Sequence, residues 1–129
     1  MQTENLFVYG RLMSNQNNLM SSYLNNNTHF IGEGFIFGRL YDLGKYPGFI
    51  PSNNPDEKVF GEIYELTNAA EIFKVVDDFE ESWPLYSEDS EYKRIIFPVF
   101  YNNNILKCWV YVYNWTVDEN KQIKSGKFV

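Results

Sequence analysis

The sequence predicts a mixed α+β fold. Three observations carry the α+β class. Short β-like runs dominate, one strongly periodic helix interrupts them, and two alternating runs near the end read as a hairpin. That order fits neither regular βαβ alternation nor an all-β pattern.

The first element is the apolar run Leu6 to Tyr9, consistent with a buried strand. An asparagine-rich stretch follows from Ser14 to Thr28. Met13, Leu19, Met20, Tyr23 and Leu24 could line one helix face within it, whereas Asn17-Asn18 and Asn25-Asn27 favour turns. From His29 to Leu43 the pattern is β-like, with Phe35 and Phe37 on one face and Ile36 on the other. The segment YDLGKYPGFIP, Tyr41 to Pro51, holds two prolines and two glycines, so a rigid, defined loop without a regular element is expected. A strand resumes over Lys58 to Leu66. Asn68 and Glu71 then have the spacing of a capping box, and Ile72, Val75, Val76 and Phe79 follow at helical spacing. After an acidic interruption, Tyr92 to Tyr101 and Ile105 to Tyr113 form the hairpin, joined through Asn102-Asn103-Asn104. In the polar tail, Ile123 and Phe128 are candidates to pin it to the body.

Composition bounds what this fold can do. The 129 residues read as one domain spanning the chain, long enough to bury a core without disulfides or a structural metal. Hydrophobic residues make up 44% and aromatics 19%, which argues against disorder. The formal charge of −6, with no basic stripe, excludes a phosphate-backbone partner, so no nucleic acid is expected. Cys108 is the only cysteine and His29 the only histidine, so no disulfide or histidine-cysteine metal site can be assembled. Neither a glycine-rich dinucleotide motif nor a phosphate loop is present, and no cofactor or metal is indicated. With no basic, apolar leader and no run of about eighteen apolar residues, the expectation is a cytoplasmic protein with no membrane contact.

One stretch does not fit a plain strand. In FVYGRL, residues 7 to 12, the strand stops on a glycine and an arginine before any polar turn cluster. Glycine lets the chain turn where a side chain would clash, and the consecutive N–H groups of such a turn can grip an anion, with Arg11 near it. An ordinary strand-to-loop glycine is the alternative. Glu80 is the second candidate. It falls at the end of the periodic helix, where the dipole disfavours another negative charge and raises a carboxylate's pKa. Against this, it is one of four acids among Asp77, Asp78, Glu80 and Glu81 at what could be a solvated helix end.

Taken together, FVYGRL, GRLYDLGKYPGFIP, VFGEIYEL, VVDDFEE, EYKRIIFPV and CWVYVY resemble the γ-glutamylcyclotransferase-like family, in the family's order, from Leu6 to about Tyr113 and more weakly into the tail. The resemblance implies that family's fold, a small curved mixed β-sheet or barrel with few packed helices, and a backbone loop at Tyr9, Gly10, Arg11 and Leu12 that holds a γ-glutamyl moiety. It implies a neighbouring loop at Tyr46, Pro47 and Gly48, a pocket-lining Tyr92 with Tyr86 as competitor, and Glu80 as the catalytic acid/base. Arg94 of the Tyr-x-Arg pattern is expected to pair with a carboxylate and hold the fold, and Tyr111 and Tyr113 to pack in the core. The implied reaction releases 5-oxoproline from a small γ-glutamyl compound by attack of its own α-amino group. Relatives often carry serine or threonine in place of Arg11, and glycine in place of Glu81. Those two departures keep open a different class, a non-catalytic small-ligand-binding module of the same fold. The leaving group and the oligomeric state are not encoded in any of these motifs.

Overall fold

The computed structural model describes residues 4–44, 46–80, 82–83 and 90–128, with the side chains of 78–80 and 82–83 outside that description. Among the described residues, seven strands form one sheet in the order β3-β2-β4-β1-β7-β6-β5, and a further β2–β6 pairing closes the middle five into a barrel. The strands are β1 (Glu4–Val8), β2 (His29–Asp42), β3 (Pro47–Pro51), β4 (Lys58–Leu66), β5 (Ser82–Trp83), β6 (Tyr92–Tyr101) and β7 (Asn104–Tyr113). The α-helices α1 (Leu19–Asn27) and α2 (Ala69–Glu80) complete the α+β class expected from the sequence.

The barrel closes where Phe35 of β2 meets Phe100 of β6. Gly34 makes this approach possible, because a Cβ there would lie 2.7 Å from the Phe100 carbonyl oxygen. Outside the seam, Phe35 stacks on Phe100 at 5.2 Å and Phe37 meets it at 4.9 Å, while Ile36 points inward and is buried. That is the alternation the sequence predicts.

β1 lies between β4, antiparallel, and β7, parallel, so both of its faces are covered. Leu6 and Val8 face the helices and join Leu24, Tyr64, Ile72 and Val76; Phe7 and Tyr9 face the barrel interior with Phe49, Ile63 and Val110. A continuous apolar run, rather than an alternating one, is what such a doubly covered strand requires. Cys108 is buried in the interior cluster, and burial pushes its thiol up to about 12.

The asparagine-rich stretch does form a helix, and an asparagine starts it. The Asn18 side chain accepts from the Ser21 N–H at 2.8 Å while the Ser21 hydroxyl accepts from the Asn18 N–H at 3.0 Å, a reciprocal cap. The predicted apolar face is corrected at one residue. Leu24 is buried and Met20 and Tyr23 pack beside it, but Leu19, at the first helical position, points to solvent with 87% exposure.

The segment from Tyr41 to Pro51 also departs from expectation. Instead of a loop throughout, Pro47–Pro51 is a strand that pairs with Gly38 to Asp42 of β2. The two prolines tolerate this because they are the end residues of an edge strand, where a missing N–H removes no interior ladder bond. Between β2 and β3, the Leu43 N–H donates to the Tyr46 carbonyl at 3.0 Å.

The hairpin turns on Asn102 and Asn103, whose φ angles of 48° and 64° give the left-handed pair that matches strand twist. The tail is pinned as expected: Ile123 donates its N–H to the Leu40 carbonyl, and Ile123 and Phe128 pack on the core. β5 has no forecast in the sequence. It lies in the acidic interruption and pairs with β6 through Ser82↔Tyr92 and Trp83↔Lys93.

Candidate active site

At the end of β1 the chain leaves the sheet and makes a turn, with the Met13 N–H donating to the Gly10 carbonyl at 3.0 Å. Among the turn and loop hydrogen bonds of the described residues, none starts from the N–H of Gly10 or Leu12. Gly10 is required here by proximity. A Cβ would sit 2.7 Å from Pro47 Cγ and 2.9 Å from Pro47 Cδ, inside any tolerable contact. The glycine thus brings the β1 turn against the first residue of β3.

Beside this contact lies a cavity of about 160 Å³ lined by Tyr9, Gly10, Arg11, Leu12, Tyr46, Pro47 and Tyr92, together with Phe7, Val8, Glu91 and Tyr111. Seven residues named from the sequence therefore converge on one space. Gly48 does not line it. It sits one residue further along β3, packed so closely on Leu43 and Tyr113 that a Cβ would lie 2.9 Å from each. Tyr86 and Glu81 lie outside the described residues.

Most of the wall is held by its own hydroxyls. The Tyr92 hydroxyl donates to the Pro47 carbonyl at 2.8 Å, tying β6 to β3, and the Tyr9 hydroxyl donates to the Tyr111 carbonyl at 2.5 Å, tying β1 to β7. Tyr9 also meets Phe49 in the barrel interior at 5.8 Å, so its ring is part of the core and its backbone part of the turn. The Tyr46 hydroxyl donates to Glu91 Oε2 at 2.7 Å. Burial, and after it the Glu91 charge, raise the phenol of nearby Tyr113. Arg11 is exposed at the mouth, and Leu12 is buried beneath it.

Glu80 closes α2, and its side chain is outside the described residues. Its backbone position is nonetheless informative. Ser82 pairs with Tyr92, a wall residue, and neighbouring strands lie about 4.8 Å apart. Glu80 is two residues before Ser82, a span of at most about 7 Å, so the backbone at the end of α2 lies within about 12 Å of that of Tyr92.

One turn earlier on the same helix, Asp77 anchors that end. Arg94 Nε donates to Asp77 Oδ1 at 2.8 Å and Nη2 to Oδ2 at 3.0 Å, while the Tyr111 hydroxyl donates to Oδ1 at 2.7 Å. The guanidinium also lies over Phe73 at 3.7 Å and Trp109 at 4.6 Å. Arg94 thus has the carboxylate partner the sequence leads one to expect. Tyr111 is buried as foreseen but also reaches the cavity wall. Glu91 has no counterpart in the sequence reading: it is one more acid in an acidic stretch, and only the pairing of β6 puts it on the wall.

Among the described residues, no three His, Cys, Asp or Glu side chains gather as a metal site, and no helix is long and apolar enough to cross a membrane.

Comparison with known proteins points to the family that the sequence motifs resemble. The family model described as "Gamma-glutamyl cyclotransferase, AIG2-like" matches residues 6–129. The chain is similar to the γ-glutamylcyclotransferase family protein YtfP of Escherichia coli K12, 34% identical over 125 residues, covering 96% of this chain and 95% of that one. It is also similar to the γ-L-glutamyl-butirosin B γ-glutamyl cyclotransferase of Niallia circulans, 34% identical over 111 residues, covering 85% of this chain and 67% of that one. Among solved structures, YkqA from Bacillus subtilis shares the fold with a TM-score of 0.73 at 21% identity; the match covers 98% of this chain and 40% of YkqA.

Proposed function

The chain belongs to the γ-glutamyl cyclotransferase, AIG2-like family of enzymes, and from that premise we propose that it releases 5-oxoproline from a small γ-glutamyl amide by intramolecular aminolysis. The observation that carries the reading is the convergence, on one cavity, of the Tyr9–Leu12 turn, Tyr46, Pro47 and Tyr92, with β5, the strand that follows α2, pairing at Tyr92.

In the proposed reaction the substrate's α-amino nitrogen attacks its own γ-carbonyl carbon. A new C–N bond closes the five-membered ring, the original amide C–N bond breaks, and the amine departs. Nucleophile and electrophile share one molecule, so orientation supplies much of the rate. Proton traffic supplies the rest. The α-amino group is mostly protonated at neutral pH; Glu80 accepts its proton and returns one to the departing nitrogen. The turn at Tyr9–Leu12 offers backbone N–H groups to the substrate's α-carboxylate, and Tyr92 packs beside the chain. No step calls on a cofactor. The Niallia relative, whose name assigns it a γ-L-glutamyl substrate, supports the γ-glutamyl amide as substrate class.

The test is direct. A panel of γ-glutamyl amides is incubated with the protein and 5-oxoproline is assayed. On the best substrate, Glu80→Gln is expected to lower turnover by about 10²–10⁴-fold while the ligand still binds. Full activity in that variant would assign the base to another group.

A further inference from the structure

We propose that Glu91 and Tyr46 form a cation-binding subsite on the cavity wall, which selects γ-glutamyl amides whose departing amine carries a second, positively charged group. The inference deepens the reaction proposed above and rests on it.

The starting point is the state of the Glu91 carboxylate. The Tyr46 hydroxyl fixes Oε2 at 2.7 Å, and the Asn114 N–H, donating to the Glu91 carbonyl at 2.7 Å, fixes the backbone behind it. Among the described residues, no cation pairs with Glu91 and no hydrogen bond reaches Oε1. A half-buried carboxylate on a cavity wall, oriented by a neighbour and left with one oxygen uncommitted, is an acceptor prepared for a charged donor. A ligand with a neutral end would desolvate it without compensation.

The second observation is the run of rings beside it. Tyr46 meets Tyr92 at 6.3 Å, Tyr92 meets Tyr113 at 5.5 Å, and Tyr113 meets Trp115 at 6.3 Å. Tyr46 and Tyr92 line the cavity and Trp115 is 52% exposed, so the rings lead from the wall to the surface. Aromatic faces attract cations, and rings combined with a carboxylate are the chemistry that recognises an ammonium group. The ring path also separates the two ammonium groups such a substrate carries. The α-ammonium must stay with the reacting carbonyl, whereas the departing amine extends outward, along the rings. The overall charge of −6 further disfavours a departing amine that ends in a carboxylate.

The experiment uses three γ-glutamyl amides of matched length, whose departing amines end in an ammonium, a methyl or a carboxylate group. Values of kcat/KM are measured for the wild type, Glu91→Gln and Tyr46→Phe. In the wild type the ammonium-ended amide is expected to exceed the methyl-ended one by about ten- to a hundredfold. That ratio is expected to fall to near one in Glu91→Gln and partway in Tyr46→Phe. An unchanged ratio in Glu91→Gln, or an equal loss on all three amides, would overturn the subsite. Should none of the amides yield 5-oxoproline with the wild type, the reaction itself fails, and calorimetric binding of the ammonium- and methyl-ended amides still decides the subsite. A binding preference lost in Glu91→Gln supports it, and the absence of any preference overturns it. Should Glu91→Gln not fold, Tyr46→Phe makes the same decision alone.

Discussion

Replacing Asp77 with asparagine tests how the C-terminal end of α2 is held. Asp77 Oδ1 accepts from both Arg94 Nε and the Tyr111 hydroxyl, and Oδ2 accepts from Arg94 Nη2. The asparagine carbonyl can take over the first two bonds, but its amide then faces Nη2, donor against donor. The guanidinium, whose side chain is 12% exposed against 6% for Asp77, is left charged with no carboxylate. Breaking one side of a buried pair in this way costs about 3–5 kcal/mol. That is a large share of the 5–15 kcal/mol or so available to a domain of this size, and it lowers Tm by something on the order of 10–20 °C. Urea denaturation followed by circular dichroism measures the loss. The pairwise part comes from a cycle of Asp77→Asn, Arg94→Met and the double variant, with an expected coupling of about 2 kcal/mol or more. A loss below about 1 kcal/mol, or purely additive single effects, would show that water screens the pair and that α2 is held by its apolar face alone.

Two further outcomes follow from the geometry. Gly10→Val places a Cβ 2.7 Å from Pro47 Cγ, so it is expected to cost about 1–3 kcal/mol in stability and to lower kcat/KM on any γ-glutamyl substrate more than Gly10→Ala does; wild-type kinetics in the valine variant would show that the turn is not part of the site. The phenols of Tyr41, Tyr64 and Tyr113 are all raised, with burial the largest cause in each. Because the folded state favours the neutral phenols, their contribution is complete below about pH 10 and is lost as pH rises past it; denaturation midpoints that stay constant from about pH 9 to about pH 11 would contradict this, and Tyr64→Phe is expected to flatten the slope.

The parts of the fold legible in the sequence are those in which local pattern and tertiary role coincide. The hairpin turn needs two left-handed residues and has Asn102 and Asn103; α2 needs an apolar stripe and has Ile72 and Val76. The edge strand at Pro47–Pro51 was not legible, because proline forbids an inner strand and tolerates an edge one, and position in a sheet is not a local property. Leu19 misled for a related reason, since helical spacing fixes a face only once the first turn is placed. In the site, the turn at Tyr9–Leu12 and Tyr92 announced themselves through motifs. Glu91 had no signal of its own: Tyr46, whose hydroxyl holds it, is 45 residues away in the chain.

The position of β1 also sets when the cavity can exist. The Tyr9 hydroxyl reaches a carbonyl 102 residues away, and Leu6 pairs with Trp109 on the far side of the chain. During synthesis β1 is made before both of its partners, and its antiparallel edge waits for β4 and its parallel edge for β7. Non-local pairing of this kind places a folding domain toward the slow, millisecond-to-second end of the scale. Until β7 arrives, an apolar strand stands with its parallel edge unpaired, a species exposed to misassociation. A nascent chain halted before residue 104 therefore has the sequence of the Tyr9–Leu12 turn but lacks the strand that β1 pairs with on its parallel edge. Ligand protection is expected to begin only once the hairpin has left the ribosome.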